Sequence, residues 1–460
     1  MKIIIVGCGK VGYAVAKDLS TENDTDITVI DGNEQALERV LNSLDVIGVK
    51  GNGLNSNILI EAGAKDADLI ISVTDNDEAN ILCAVSAKRL GVKNTIARVC
   101  NPEYAVELNK FWKNLGLDMI INPEQETARE ISRLFRFPAV DDIDTFMGGR
   151  VELVYFKVDE APEFFIGKSV SQIFFKKNLN IILAMVERAG EAIIPNGDLI
   201  FESQDVISIL GRPSFIMDFF TLIGSKKTDK IKNAVIIGGG KIAYYLIELL
   251  CRHSRGTNLK VIDTDKERCQ ILSENFPKCE IINGDGSDED ILESEVADYA
   301  DAVACLTNRD EENTIIALYS MNLNIRKVIV KINRINKNIV KRLGLGSIIS
   351  TENVTSEQII RYVRQISSVM GNDIAAVYKM FGDDRDTKVE AVEFEVRLKY
   401  KCLDTALRDL KLKKDILIAC IARNSNIIIP NGDSIMQEGD RVIVIAKKGH
   451  LANLDDILKS

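Results

Sequence analysis

Residues 3–12 read IIIVGCGKVG, and the helical stretch VGYAVAKDLS follows directly. Four aliphatic residues bounded by glycine are too short for a helix and suit a strand buried on both faces. Gly7, Gly9 and Gly12 then fall in the spacing G-x-G-x-x-G at the passage from strand to helix. In that setting Gly7 permits the tight turn, Gly9 lets backbone approach a pyrophosphate, and Gly12 allows close packing of helix on strand. The helix start offers unpaired N–H groups and the positive end of its dipole to an anion. The next strand, ITVID, ends at Asp31, nineteen residues beyond Gly12, where a carboxylate accepts hydrogen bonds from an adenosine ribose. Glycine-rich βα turns also occur in flavodoxin-like folds without a dinucleotide, but strand, helix and acid together favour a nucleotide. The loop residues Cys8 and Val11 join these as candidate contacts.

The same pattern recurs. IIIVGCGKVG from Ile3 matches AVIIGGGKIA from Ala234, an offset of 231, and ITVIDGN ending at Asn33 matches LKVIDTD ending at Asp265. VTDNDEANI from Val73 matches LTNRDEENT from Leu306, and AIIPNGDLIFESQDVISI from Ala192 matches IIIPNGDSIMQEGDRVIV from Ile427, by which point the offset is 235. The chain is a duplicated unit with each copy near 230 residues. The second copy keeps Gly238, Gly240 and Asp263; Ala243 replaces the third glycine, a substitution the motif accepts. A second nucleotide site and a relic of the duplication both fit this half.

Within each copy, short β-branched runs alternate with helical stretches and then give way to period-two strands such as VELVYFKV, with a PNGD turn between strands. Alternation of strand and helix predicts a doubly wound parallel sheet. The fold expected is α/β: two tandem Rossmann-like sheets, each followed by a small α/β domain. The predicted domains are 1–137, 138–225, 231–367 and 368–460, with the polar segment GSKKTDKIK at 224–232 as the linker.

Other residues gather at the same sheet edge. Lys10 and Lys241 stand in the first turn of a helix, where the dipole disfavours a cation by about 0.3–1 kcal/mol unless an anion is near; a solvated lysine is the plain alternative. Asn52 and Gly53 follow the third strand, as Asp285 does in the second copy; the glycines there suit close approach to a base or ribose, or an ordinary turn. Thr74 and Asp75 follow the fourth strand, with Thr307 as counterpart, and Arg98 closes the fifth, with Lys331 opposite. Glu78 and Glu311 read as helix-start residues. Asp31 opposes a 2′-phosphate, which argues against NADP; NAD and ATP or ADP share the ribose and phosphates that such a site reads.

Composition excludes other classes. The formal charge is −10, from 58 Lys+Arg against 68 Asp+Glu, opposite to the basic footprint of a nucleic-acid binder. No uncharged apolar run approaches the roughly 18–20 residues that span a bilayer. Nine cysteines without a C-x-x-C pair suit a reducing compartment. Two histidines leave little for a zinc site or histidine relay. Tyr13 and Lys17 spell Y-x-x-x-K, the spacing of short-chain reductases, but immediately behind the glycine loop. Sensing fits better than turnover. An NAD-dependent oxidoreductase is the alternative; a DNA-binding repressor would need a basic helix-turn-helix segment, which is not found.

The order of nucleotide fold and small domain, twice over, resembles the RCK (or KTN) family of regulatory subunits that control potassium conductance. The match is carried by IIIVGCGKVG, VIDGN, VTDNDEAN, IARVCNPEY, the INPE segment at Ile121, GKSVSQIF and PNGDLIFESQDVI. The resemblance implies RCK-N domains at 1–137 and 231–367 and RCK-C domains at 138–225 and 368–460. It implies a cytoplasmic protein without enzymatic activity, a homo-oligomer (dimer or tetramer) at the inner membrane face. Its partner would be an integral membrane potassium channel or transporter of the Trk type, and its ligands NAD(H) and ATP/ADP. By resemblance Gly7, Gly9, Lys10, Gly12, Asp31, Thr74 and Arg98 contact nucleotide in the first half; Gly238, Gly240, Lys241, Asp263, Asp285 and Thr307 do so in the second.

Overall fold

The computed structural model describes the chain apart from residues 21–24, 102–103, 105–111, 176–178, 225–229, 254–255, 334–339, 341–342, 346, 370–373, 382–388, 397–399, 425, 448–450, 452 and 460. Most of the expected linker, and His450, lie outside the described residues.

In the first half six parallel strands form one sheet: β1 (Lys2–Val6), β2 (Asp26–Asp31), β3 (Ile47–Lys50), β4 (Leu69–Ser72), β5 (Asn94–Arg98) and β6 (Met119–Ile121), in the order β3-β2-β1-β4-β5-β6. The helices between them are α1 (Lys10–Leu19), α2 (Glu34–Leu41), α3 (Ser56–Glu61) and α4 (Asp77–Leu90), and α5 (Pro123–Arg136) follows β6. Chain direction across the sheet reverses between β1 and β4, which leaves a crevice at their carboxyl ends. A five-stranded antiparallel sheet comes next: β7 (Asp142–Phe146), β8 (Val151–Lys157), β9 (Ile181–Arg188), β10 (Glu191–Ile193) and β11 (Val206–Gly211), ordered β10-β9-β11-β8-β7. Helix α6 (Pro213–Ile223) covers it with Phe219 and Phe220, which pack on Phe156.

The second half repeats this plan. Strands β12 (Asn233–Ile237), β13 (Asn258–Asp263), β14 (Glu280–Asn283), β15 (Ala302–Cys305), β16 (Lys327–Lys331) and β17 (Ser347–Ile349) are ordered β14-β13-β12-β15-β16-β17. Helices α7 (Lys241–His253), α8 (Lys266–Asn275), α9 (Asp310–Asn322) and α10 (Thr351–Val369) serve this sheet. The last five strands, β18 (Ile374–Phe381), β19 (Val389–Glu395), β20 (Ile416–Arg423), β21 (Asn426–Ile428) and β22 (Arg441–Lys447), form the second antiparallel sheet.

The halves are not beads on a string. Helix α5 packs on α7 of the other copy, and α10 packs on α1. Ile359 and Val363 of α10 join Ile3, Ile5, Val15 and Leu19 in one buried cluster; Ala128 and Ile131 of α5 join Ile236 and Leu246 in another. Residues that the sequence assigns to one Rossmann unit thus complete the core of the other. The two antiparallel sheets also pack on each other, through Phe146, Leu153, Ala419 and Ile443, and the Phe146 and Tyr378 rings lie 4.0 Å apart.

This packing can be probed at α10. Ile359 is fully buried, so Ile359→Ala should cost about 2–5 kcal/mol, and amide exchange should rise in β1 and β2 of the opposite half.

The seam where α5, β7, β8 and α10 meet is sensitive to pH. Burial, reinforced by Asp142 and Glu357, pushes the Glu130 carboxyl up to about 7 against the pull of Arg133. Burial beside the same two acids also holds Asp144 well above the carboxylate range, against Arg361 and the Tyr155 hydroxyl. Unfolded Glu titrates near about 4.3, so between there and about 7 the folded chain binds the extra proton and stability falls as pH rises. Urea unfolding across this window should show that decline, and Glu130→Gln should flatten it.

Candidate functional site

The glycine loop is built by local sterics. Gly7 has φ +103°, in the left-handed region, and a Cβ there would lie 3.0 Å from the Thr74 nitrogen. A Cβ on Gly12 would sit 1.8 Å from the Gly7 carbonyl oxygen, so only glycine lets α1 start this close to β1. Gly9 has open space on its Cβ side and forms the N-cap of α1 without a side-chain cap, leaving the helix's first N–H groups facing outward. The Asp31 carboxylate fixes the loop by accepting from the Cys8 N–H (2.6 Å) and the Asn33 N–H (2.7 Å). In the second half Asp263 accepts from the Gly239 N–H (2.6 Å) and the Asp265 N–H (2.8 Å). Both Asp31 oxygens keep a lone pair for a ribose hydroxyl; at Asp263 the Oδ2 also accepts from Arg268 (3.3 Å), and Oδ1 keeps one.

These residues line one large cavity of about 1510 Å³ between the two Rossmann units. Gly7, Gly9, Lys10, Val11, Asp31, Asn52, Gly53, Thr74, Asp75 and Arg98 all face it. Cys8 and Gly12 do not: the Cys8 side chain is buried in the core, and burial beside Asp31 pushes its thiol up to about 12, so it offers only its backbone. Gly240 and Lys241 reach the same cavity from the other side, while Gly238, Asp263, Asp285 and Thr307 lie on an adjoining pocket of about 390 Å³. Tyr13 packs on the core completed by α10, and neither it nor Lys17 lines the cavity.

The glycines after β3 and β14 also serve packing. A Cβ on Gly53 would meet Val6 at 2.4 Å, and one on Gly286 would meet Ile237 at 2.3 Å, so close packing on the first strand favours glycine there.

Several residues that organise the site carry no motif of their own. Buried Asn80 ties the ends of β4 and β5 together: its Oδ1 accepts from the Thr74 N–H (2.8 Å) and hydroxyl (2.7 Å), and its Nδ2 donates to the Thr74 and Arg98 carbonyls (3.1 Å each). Asn313 makes the matching bonds to Thr307 and the Lys331 carbonyl. The recurrence of Asn at the end of VTDNDEAN and LTNRDEEN is the one sequence signal for them. The Thr74 hydroxyl proton is thus already engaged.

Glu124 and Glu352, in the first turns of α5 and α10, also face the cavity, 3.5 Å from Arg98 and 3.6 Å from Lys10 respectively. Arg98 is further held by the Thr74 carbonyl (3.3 Å) and the Cys100 sulfur (3.1 Å). One link between the halves is asymmetric. The Asn122 side chain, which caps α5, donates to the Tyr245 hydroxyl of α7 (2.8 Å); the matching positions hold Ser350 and Ala14, and Ala14 has no hydroxyl. Finally, Arg268 sits 3.3 Å from Asp263, where the first half has Ala36.

The folded architecture and paired loops define a tandem nucleotide-fold protein with two small appended domains. The TrkA-N domain family matches residues 3–123 and 234–351, and the TrkA-C domain family matches 153–224 and 391–459; the chain belongs to the TrkA family. It is 32% identical over 462 residues, covering all of both chains, to the Trk system potassium uptake protein TrkA homolog of Archaeoglobus fulgidus. It is 29% identical to the Trk system potassium uptake protein TrkA of Haemophilus influenzae, over 96% of this chain and 95% of that one. Among solved structures, the GsuK RCK domain superposes with a TM-score of 0.61 at 18% identity, over 97% of this chain and 92% of that one. The GsuK channel gives 0.63 at 17% identity, over 97% and 76%. These two share the fold.

Asn80→Ala would strand the Thr74 N–H, a loss of about 1–3 kcal/mol for a buried donor left unmade. Thermal unfolding should show that loss, and Asn80→Asp, whose buried carboxylate would face the Thr74 and Arg98 carbonyls without a donor, should lose at least as much.

Proposed function

We propose that this chain is a nucleotide-binding regulatory subunit that gates a membrane-embedded Trk-type potassium uptake partner in response to NAD(H) and ATP or ADP. The reading is carried by one observation: two glycine loops, each with an acidic residue at the next strand's end, open toward the interface of two interlocked halves. Here Asp31 and Asp263 receive ribose, and the free N–H groups of α1 and α7 receive phosphate. Lys10, Arg98 and Lys241 supply the cations; Thr74, Asn52 and Asp285 border the sugar. Family membership supports potassium uptake as the process served. A GsuK channel bound to NAD, a structural neighbour with the same fold, carries a ligand of this chemistry.

No helix among the described residues is long and apolar enough to cross a membrane, so the regulatory reading requires a partner that supplies the pore. Ligand acts by binding one arrangement of the halves better than another, since only differential affinity moves a conformational equilibrium. The chain then works without turnover, at the cytoplasmic face, as a homo-oligomer. The site side chains act as binding groups, and the domain division at 137, 225 and 367 separates nucleotide units from the paired small sheets.

Hydrogen bonds to charged groups contribute about 1.5–3 kcal/mol, roughly 10- to 100-fold in affinity. Asp31→Ala and Arg98→Ala should each weaken NADH and ADP by that factor in equilibrium titrations of the purified chain. Unchanged affinities would remove the site assignment.

A further inference from the structure

The two glycine loops do not open into separate crevices. Gly9 and Lys10 of the first half and Gly240 and Lys241 of the second line one continuous cavity. Gly240, Arg268, Leu306 and Asn308 also belong to the wall of the smaller pocket that holds Asp263. The large cavity thus reaches from Asp31 past Lys10 to Lys241, and the pocket of Asp263 adjoins it behind Gly240 and Arg268.

The charge along that stretch is uneven. Its ends are the carboxylates that suit ribose hydroxyls. Besides Asp31 the cavity wall holds five cations, Lys10, Arg98, Lys241, Arg268 and Lys331, against three carboxylates, Asp75, Glu124 and Glu352; Glu124 stands opposite Arg98, Glu352 opposite Lys10, and Arg268 opposite Asp263. Among the described residues Lys241 and Lys331 make no close ion pair. The Lys331 ammonium is buried, donating to the Leu306 carbonyl (3.3 Å), and burial pulls it below the usual lysine range against the attraction of Asp310 and Glu124. Two ammonium groups without a close ion pair, between two ribose-type carboxylates, fit a polyanion that carries a sugar at each end.

We infer that the chain takes a dinucleoside polyphosphate as a single bridging ligand, with one nucleoside at Asp31, the other at Asp263, and the phosphates beside Lys241 and Lys331. This rests on the nucleotide-binding reading above and adds the ligand class and the stoichiometry. Joining two nucleosides makes the second contact intramolecular, which raises affinity by about 10²–10⁴ when the linker matches the span. Two separate nucleotides instead bring two phosphate tails into one cavity, where their like charges oppose each other.

Isothermal titration of the purified full chain with diadenosine tri-, tetra- and pentaphosphate, beside ADP, tests the bridge. The expected result is one diadenosine ligand per chain, at least about 100-fold tighter than ADP at the best length. Asp263→Ala should bring that ligand back to ADP-like affinity while ADP still binds the first half. Because Asp263 also anchors the Gly239 N–H, Lys241→Gln at an exposed position serves as the second variant, and it should weaken the tetraphosphate more than ADP. Two diadenosine ligands per chain, affinities within a few-fold of ADP at every length, or equal losses for both ligands in Lys241→Gln would overturn the bridge and leave the nucleotide reading standing. No binding of ADP or of any diadenosine ligand would overturn both.

Discussion

The structure depends on the reciprocal burial of two helices. Each six-stranded sheet needs an apolar layer on both faces, and part of that layer comes from the other copy: α10 seals the flank of β1 and α1, and α5 seals that of β12 and α7. Each large aliphatic side chain buried this way contributes about 1.5–3 kcal/mol. Neither Rossmann unit therefore has its full core alone, and the relative orientation of the units is set by side-chain packing. That exchange also decides where the site falls. With α1 and α7 both held at the seam, their N-termini face a common cavity.

Electrostatics then divide the labour inside that cavity. The carboxylates of Asp31 and Asp263 are committed to backbone N–H groups that shape the loops, so under the proposed function the groups that would read ribose also hold the glycine loops in shape. The halves are not interchangeable, however: the Tyr245 hydroxyl ties α7 to the cap of α5, whereas Ala14 makes no such tie, and Arg268 stands beside Asp263 where Ala36 leaves Asp31 unneutralised. The Tyr245 contact thus links α7 to the helix that carries Glu124, which pairs with Arg98. The seam at the small domains adds a separate sensitivity, because Glu130 and Asp144 prefer to be protonated there.

Much of this was legible in the sequence, because local rules and tertiary structure agree. IIIVG followed by C-G-K-V-G predicts strand, turn and helix start from sterics alone, and the 231-residue offset doubles every inference. The parallel sheets, the small sheets and the gathering of Gly9, Lys10, Asp31 and Arg98 at one edge match that reading. The helix exchange was not legible: the apolar stripe of PEQETAREISRLF reads the same whether it packs on its own sheet or on its twin. Nor were the roles of Asn80 and Asn313, since an asparagine in a helix's first turn resembles an ordinary polar residue until its partners are seen. The packing role of Gly53 was hidden for a related reason, because the Val6 side chain it meets belongs to a distant strand.

The most direct measurement is amide hydrogen exchange on the full chain with and without saturating NADH or ADP, resolved at residues 7–12, 74–80, 122–126 and 350–356. If nucleotide arrives at the seam and acts on the packing of the halves, protection should rise in the glycine loop and change together in the starts of α5 and α10. Protection confined to surface segments elsewhere, or a loop that gains protection while both helix starts stay unaltered, would contradict it.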